Sequence, residues 1–272
     1  MAFFDGPKPR QFAHRGARGT HPENTIVAFE AALEVGAEAF ELDVHTSAEG
    51  EVVVIHDSTL ERTTDGRGNV RDLSLDRLKA LDAGHNFTTD DGETFPFRGQ
   101  EVRIPTLAEV LDAFPDVPII IEIKQDDPPL ESQLNTVLQT MDARSRVLVF
   151  SLKQGPLNRY RELVPRHQTG FGPNDVAGFM RRVVSSRWNG YEAPGAAFAV
   201  PINWNGIPVL SKAFVRAAHA IDREVFVWTV NEVDEMNALL DLGVDGLISD
   251  FPKRLRRVIA GRTAVDTSAT EA

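Results

Sequence analysis

Short apolar runs recur along this chain, each ended by a polar residue and followed by a helical pattern. That alternation limits the possible folds more than any other feature of the sequence. The runs fall at residues 11–14, 39–44, 119–123, 147–150, 169–171, 197–200, 225–228 and 245–248. Helical patterns follow at 23–35, where Ile26, Phe29, Ala32 and Leu33 share one stripe, and then at 106–114, 130–141, 154–163, 174–186, 211–221, 231–242 and 252–261. Strands that are apolar on both faces and alternate with helices form a parallel sheet covered on both sides. Eight such units predict an α/β fold, closed as a (β/α)8 TIM barrel. A chain of 272 residues, 42% of them hydrophobic, suits one such barrel, so residues 1–261 are read as a single domain. The small, polar stretch 262–272 is expected to be a disordered tail.

A ninth apolar run, 51–56, disturbs the count. It is separated from the second run by only a few residues around Ala48-Glu49-Gly50, whereas a parallel crossover needs about a dozen. The two runs should therefore pair as an antiparallel hairpin, outside the barrel. Together with the turn-rich stretch 57–105, this makes a small insertion of about residues 45–105 after the second strand. The hairpin carries a parity condition. His56 shares a face with Glu41 and Asp43 only if the connecting loop has an even number of residues, and an even loop is expected.

Composition excludes several kinds of chemistry. With no cysteine there is no disulfide, no thiol nucleophile and no Cys-based zinc site, which suits a reducing compartment. The first residues show no charged stretch leading into an apolar one, and no apolar run approaches the ~20 residues of a membrane span. A cytoplasmic location is expected. The net charge of −11 repels nucleic acid and anionic membranes, so neither a nucleic-acid partner nor stable membrane association is expected. A phosphate-bearing ligand is still possible if the site supplies its own positive charge within a Debye length of ~8–10 Å.

The candidate chemistry sits at strand ends. Glu41 and Asp43 are two apart in the second strand and so point the same way, as do Glu122 and Lys124 in the third. Inward carboxylates are costly in a barrel core unless paired or bound to a cation. Three of them suit a hard divalent ion, Mg²⁺ or Ca²⁺. The plainer reading is a set of ion pairs with Lys124 or Arg15. His14 ends the first strand and His56 the hairpin's return strand. Each alone would be read as a packing residue, but beside a carboxylate cluster they match the acid and base that phosphoester cleavage requires. Arg15 offers a planar fork for phosphate oxygens, and Asp57 either orients His56 or serves a turn. His45 is expected to face solvent, and His21, His85, His167 and His219 are read as incidental. Phe150, Trp204 and Trp228 stand at strand ends, at a core or pocket rim. Phe87, Phe95 and Phe97 either cover the site or form the insertion's own core.

These residues also carry a resemblance. His14-Arg15-Gly16, Pro22-Glu23-Asn24-Thr25, Glu41-Leu42-Asp43-Val44, Val53-Val54, His56-Asp57 and Arg62-Thr63-Thr64 fall in order with compatible spacing. They are followed by Pro105-Thr106-Leu107, Glu122-Ile123-Lys124, Trp228-Thr229-Val230-Asn231 and Gly243-Val244-Asp245-Gly246. The chain thus resembles the glycerophosphodiester phosphodiesterase family from about residue 10 to 252, most specifically in its first 65 residues. The resemblance implies a barrel with an insertion after its second strand and metal ligands at Glu41, Asp43 and Glu122. It further implies a His14/His56 acid–base pair, phosphate contacts from Arg15 and Lys124, and Trp228 lining the substrate pocket. Family members hydrolyse glycerophosphodiesters to sn-glycerol 3-phosphate and an alcohol. By analogy with related phospholipase barrels, His14 is taken as base and His56 as acid. Departures at Ala48-Glu49, Asp222-Arg223 and Ser249 touch none of these residues. The rival readings are a phospholipase D-like activity on lysophospholipids or sphingolipids, a non-catalytic binding barrel, and a metal-independent lyase.

Overall fold

A computed structural model describes residues 2–270 of the chain, with side chains as far as Arg262. The elements run β1 (Arg10–His14), α1 (Ile26–Glu34), β2 (Ala39–Thr46), β3 (Val52–Val54), α2 (Leu75–Ala80), α3 (Leu107–Ala113), β4 (Ile119–Ile123) and α4 (Glu131–Thr140). Next come β5 (Val147–Phe150), α5 (Gln154–Leu163), α6 (Pro173–Val184), β6 (Ala197–Val200), β7 (Asn203–Trp204) and β8 (Ile207–Pro208). The chain ends with α7 (Lys212–Ala220), β9 (Glu224–Val227), α8 (Val233–Leu242), β10 (Gly246–Ser249) and α9 (Pro252–Thr270).

Seven strands pair in parallel in the order β5-β4-β2-β1-β10-β9-β6. The expected fifth barrel strand, 169–171, is reduced to two parallel bridges, Val149↔Thr169 and Gly170↔Ala197, which join the sheet's two ends. Backbone bonds Gly170 N–H to Val149 O (2.8 Å) and Phe171 N–H to Ala197 O (3.1 Å) run to either side of it. Within the segment the Arg161 guanidinium takes the Gly170 carbonyl at 2.7 Å and the Thr169 hydroxyl at 3.0 Å, so that carbonyl is occupied by a side chain. The barrel is nearly closed, as the alternation predicts.

Alternation along the strands sorts the core into two layers. Phe40, Leu42, Val44, Ile119, Ile121 and Ile123 face outward under the helices. Phe12, Ala39, Ile120, Leu148, Phe226 and Ile248 fill the interior, where Phe3 of the N-terminal segment stacks against Phe12 at 6.0 Å. On β2 and β4 the next inward positions above Ala39 and Ile120 are Glu41, Asp43 and Glu122. Charge therefore begins where the apolar filling stops, at the C-terminal ends of the strands. Barrels of this kind place their chemistry there.

The insertion has its own small core of Val53, Ile55, Leu60, Val70, Leu78 and Ile104, and it rejoins the barrel at α3, whose start is fixed by a Thr106–Glu109 capping box. β3 pairs antiparallel with β2 as expected, but the parity expectation is wrong. Ser47 N–H bonds Glu51 O at 2.9 Å, so the loop is the odd one, Ala48-Glu49-Gly50, with Gly50 at φ +87° in the left-handed region three-residue hairpins favour. The register Val44↔Val54 would carry an unbroken strand on to set His56 opposite Leu42, away from Glu41 and Asp43. The ladder ends first. Ile55 N–H makes its last bond, to Asp43 O at 3.0 Å, while Val54 N–H, on the strand's other edge, bonds Pro105 O at 2.8 Å. Freed from the pleat, His56 enters the barrel mouth.

Two other boundaries differ. The last helix continues past Gly261 to Thr270, with the Arg262 guanidinium bonded to Asn237 at 3.2 Å and to Asp241 of α8, and no proline follows to stop it. The expected disordered tail at 262–272 lies, beyond Arg262, outside the residues whose side chains are described. The β7–β8 hairpin was not anticipated, although Asn205-Gly206 at its turn, with φ of 49° and 80°, is a recognisable hairpin signal. Among the described residues, no helix is long and apolar enough to cross a membrane.

Candidate active site

The barrel mouth gathers carboxylates first. One oxygen from each of Glu41, Asp43 and Glu122 lies within 4.8 Å of the others, and all three side chains are buried. Among the described residues, Glu41 Oε2 and Asp43 Oδ1 are buried with no hydrogen-bond partner. Orphaned anionic oxygens in a core are costly. Burial, with Asp43 beside it, pushes the Glu41 carboxyl well above its ordinary range. Burial likewise pushes Glu122 up to about 7, against the pull of Lys124. For Asp43 the burial penalty is outweighed by Arg15 and Lys124, with help from His56 and the Asn24 amide, so its carboxyl is held below the ordinary range. Hard oxygen donors with free lone pairs, converging on one point, suit a hard divalent cation.

Lys124 reaches into the same cluster, its Nζ 3.2 Å from Glu122 Oε1 and 3.6 Å from Asp43 Oδ1. Arg15 lies with Nε 3.0 Å from Asp43 Oδ2 and Nη1 2.9 Å from Glu23 Oε1. Its backbone sets that reach. After β1 the chain turns through Arg15 at φ 54° and Gly16 at φ 82°, both left-handed. A Cβ on Gly16 would come within 2.6 Å of the Ala28 backbone, so only glycine permits the turn.

Both histidines are held in one manner. His14 Nδ1 is 2.6 Å from Asp250 Oδ1, and His56 Nδ1 is 2.5 Å from Asp57 Oδ1. A carboxylate only accepts, so each Nδ1 carries the proton that binds it, and each Nε2 is left for the cavity. His14 Nε2 lies 3.8 Å from Glu41 Oε2. Burial, together with Arg15 and Lys124, lowers the His56 pKa, although Asp43 pulls it back up. Asp57 thus orients His56 and is not merely a turn residue. His45 is a correction. It is buried, on the Glu41/Asp43 face of β2, and its Nε2–H donates to the His56 carbonyl at 3.1 Å. The strand continues to Thr46, so the residue expected to face solvent is still inside it.

Sequence reasoning missed the network behind the histidines. Asp250 also accepts from Asn231 Nδ2 at 2.8 Å and from Arg18 at 3.3 Å. Arg18 and Arg62 both bind Glu23, and Arg62 binds Asp57 at 2.5 Å. Glu23 therefore joins the two aspartate–histidine pairs, and its cationic neighbours hold its carboxyl far below the usual range despite burial. Asn24, left-handed at φ 58°, donates to Asp43 Oδ2 at 2.9 Å. The visible signal was the Pro22–Thr25 motif, which spacing alone could not connect to residues 250 and 57.

The cavity so formed has a volume of about 120 Å³ and brings together His14, Arg15, Glu41, His56, Glu122 and Lys124. Trp228 and Thr229 close one side; the Trp228 Nε1–H is buried and, among the described residues, has no partner. None of Phe87, Phe95 and Phe97 lines this cavity. Phe97 packs on the insertion's core, with Phe87 edge-on to it at 5.4 Å.

The profile of the Glycerophosphoryl diester phosphodiesterase family matches residues 14–254. A glycerophosphodiester phosphodiesterase of Bacillus altitudinis is 34% identical over 253 residues, which cover 91% of this chain and 96% of that protein. One of Caldanaerobacter subterraneus is 33% identical, over 91% of this chain and 96% of its own length. Among solved structures, an Oleispira antarctica phosphodiesterase in complex with the product sn-glycerol-3-phosphate superposes with a TM-score of 0.76 at 25% identity, covering 93% of this chain and 97% of that one.

Proposed function

The chain belongs to the glycerophosphoryl diester phosphodiesterase family, and from that premise we propose that His14 and His56 are the acid–base pair with which it hydrolyses glycerophosphodiesters to sn-glycerol 3-phosphate and an alcohol. The observation that carries this reading is the shared restraint of the two imidazoles. Each has Nδ1 fixed on an aspartate beside a carboxylate cluster with unpartnered oxygens.

Glu41, Asp43 and Glu122 would hold a divalent cation, Mg²⁺ or Ca²⁺. When bound, the cation supplies Lewis-acid stabilisation of charge on the phosphoryl oxygens. Arg15 and Lys124, cations already directed into the cavity, bind the non-bridging oxygens of the diester. The Trp228 indole N–H is free to donate to a substrate oxygen. One imidazole Nε2 takes the proton of the nucleophile, either water or the glycerol 2-hydroxyl. A P–O bond forms as the bond to the leaving alcohol breaks, and the second imidazole delivers a proton to the departing oxygen. If the 2-hydroxyl attacks, a cyclic phosphate forms first, and water opens it with the same two groups in exchanged roles.

The test is release of sn-glycerol 3-phosphate from a panel of glycerophosphodiesters, after chelation and after add-back of Mg²⁺ or Ca²⁺. Activity should vanish with chelation and return with one of the ions. Hydrolysis that is indifferent to metal would refute the role given to the three carboxylates.

A further inference from the structure

An apolar pocket of about 240 Å³ opens beside the catalytic cavity, with Phe150, Leu152 and Ala199 forming walls of both. Its far side is built by Val176, Ala177 and Met180 of α6 and by the β7–β8 hairpin. The hairpin holds Trp204 and Ile207 out at 41% and 61% exposure. None of the described residues lining the pocket is charged. We propose that this pocket receives the non-glycerol arm of the diester and selects substrates whose leaving alcohol carries a hydrocarbon chain.

This deepens the phosphodiesterase reading and depends on it. The glycerol arm does not suit the pocket, because its hydroxyls would lose water and find, among the described lining residues, no polar side-chain group beyond the Trp204 indole N–H. A primary ammonium on the alcohol would meet no carboxylate there. A quaternary ammonium would need a cage of open aromatic faces. The ring of Phe171 is already stacked on Phe198 at 3.7 Å, and the two other rings among the described lining residues, Phe150 and Trp204, are too few to enclose an ammonium. The remaining walls are mostly aliphatic. A hydrocarbon chain gains from every contact such walls offer. The hairpin has no part in closing the barrel, so its two exposed apolar side chains find a use as a rim over that chain.

Two measurements test this, both below micelle-forming concentrations. The first is kcat/KM for glycerophospho-n-alkanols from ethyl to octyl, against glycerophosphoethanolamine. The second is direct binding of n-alkyl phosphates over the same lengths, which needs no turnover. Each added methylene should raise kcat/KM and tighten binding by up to about fourfold until the pocket is full. Ala177→Trp, which fills the pocket from an exposed helix position, should flatten both series and leave glycerophosphoethanolamine turnover within about twofold. Ile207→Glu, on the exposed hairpin, should do the same without disturbing the core. A flat length series with normal glycerophosphoethanolamine turnover would overturn the proposal, as would a length preference that survives both variants. Length-dependent binding with no diester hydrolysis would support the pocket and sink the phosphodiesterase reading instead.

Discussion

Replacing Asp250 with asparagine separates what holds His14 from what holds the fold. Every group that faces the Asp250 carboxylate is a donor: His14 Nδ1 at 2.6 Å, Asn231 Nδ2 at 2.8 Å and the Arg18 guanidinium at 3.3 Å. Burial alone would raise this carboxyl, but His14, Asn231 and Arg18 outweigh it and hold it at about 2, against an ordinary 3.8. Those partners therefore favour the ionised form by about 2 kcal/mol. An amide keeps the shape but presents an N–H₂ to one of the donors, so at least one bond is lost and the charge with it. Unfolding at neutral pH should cost about 2 kcal/mol less, a fall in Tm of about 4–8 °C for a chain of this size. The depressed carboxyl contributes fully above pH ~4 and progressively less as pH falls through about 2. The variant's deficit should therefore shrink in acid. Without a fixed Nδ1–H, His14 no longer presents Nε2 reliably, and kcat should drop about 10²-fold or more while KM changes little. Steady-state kinetics and thermal melts on the same preparation decide it. If kcat stays within a few-fold while the melt shifts as expected, Asp250 serves the scaffold alone and the orientation argument fails.

The other expectations are simpler to state. His14→Ala and His56→Ala should each lower kcat by about 10²–10⁴-fold in a diester release assay, and near-normal rates in both would refute the pair. Saturating Mg²⁺ or Ca²⁺ at about 100 times its Kd should stabilise the fold by about 3 kcal/mol in a thermal-shift assay, and Glu41→Gln should abolish the shift. Glu23→Gln leaves Arg15, Arg18 and Arg62 around a neutral amide and should destabilise by about 3–5 kcal/mol at pH 7. Because the Glu23 carboxyl titrates below its ordinary range, its share is present above pH ~4.5 and lost on acidification, so wild type and variant should converge in acid denaturation. His45→Ala leaves the His56 carbonyl without its donor and should cut kcat about tenfold, with His45→Gln restoring part of the loss.

Periodicity made the barrel legible, because the barrel strands are buried along nearly their whole length and alternate with helical patterns. The carboxylates at 41, 43 and 122 were equally legible, since alternation alone sends them inward. The placement of His56 was not. Its face depended on loop parity, and parity is a property of the Ser47–Glu51 closure that the sequence does not display. The even-loop expectation failed, yet His56 reaches the cavity, because the ladder ends at Ile55 and the pleat no longer dictates direction. The partners that orient the histidines were hidden for another reason. Asp250 is 236 residues from His14, and Glu23 is 39 from Arg62; closure of the barrel, β1 beside β10, brings the first pair together, and the insertion folding back over the barrel mouth brings the second.

Charge ties these pieces together. The site and its immediate support hold six carboxylates, Glu23, Glu41, Asp43, Asp57, Glu122 and Asp250, and four fixed cations, Arg15, Arg18, Arg62 and Lys124. The deficit is two positive charges, in a region where an uncompensated charge is costly. It is not spread evenly. Glu23, Asp57 and Asp250 have cationic or donor partners and titrate low. Glu41 and Glu122 are the two whose carboxyls are pushed up, and both belong to the converging trio. Two protons on those carboxyls, or one divalent cation between them, would satisfy the same deficit. The cation is the arrangement that also keeps the oxygens ionised and presents a positive charge to an arriving phosphodiester. On this reading an acidic protein attracts an anionic substrate through Arg15, Lys124 and an ion in one barrel mouth, with Arg18 and Arg62 balancing the carboxylates behind it.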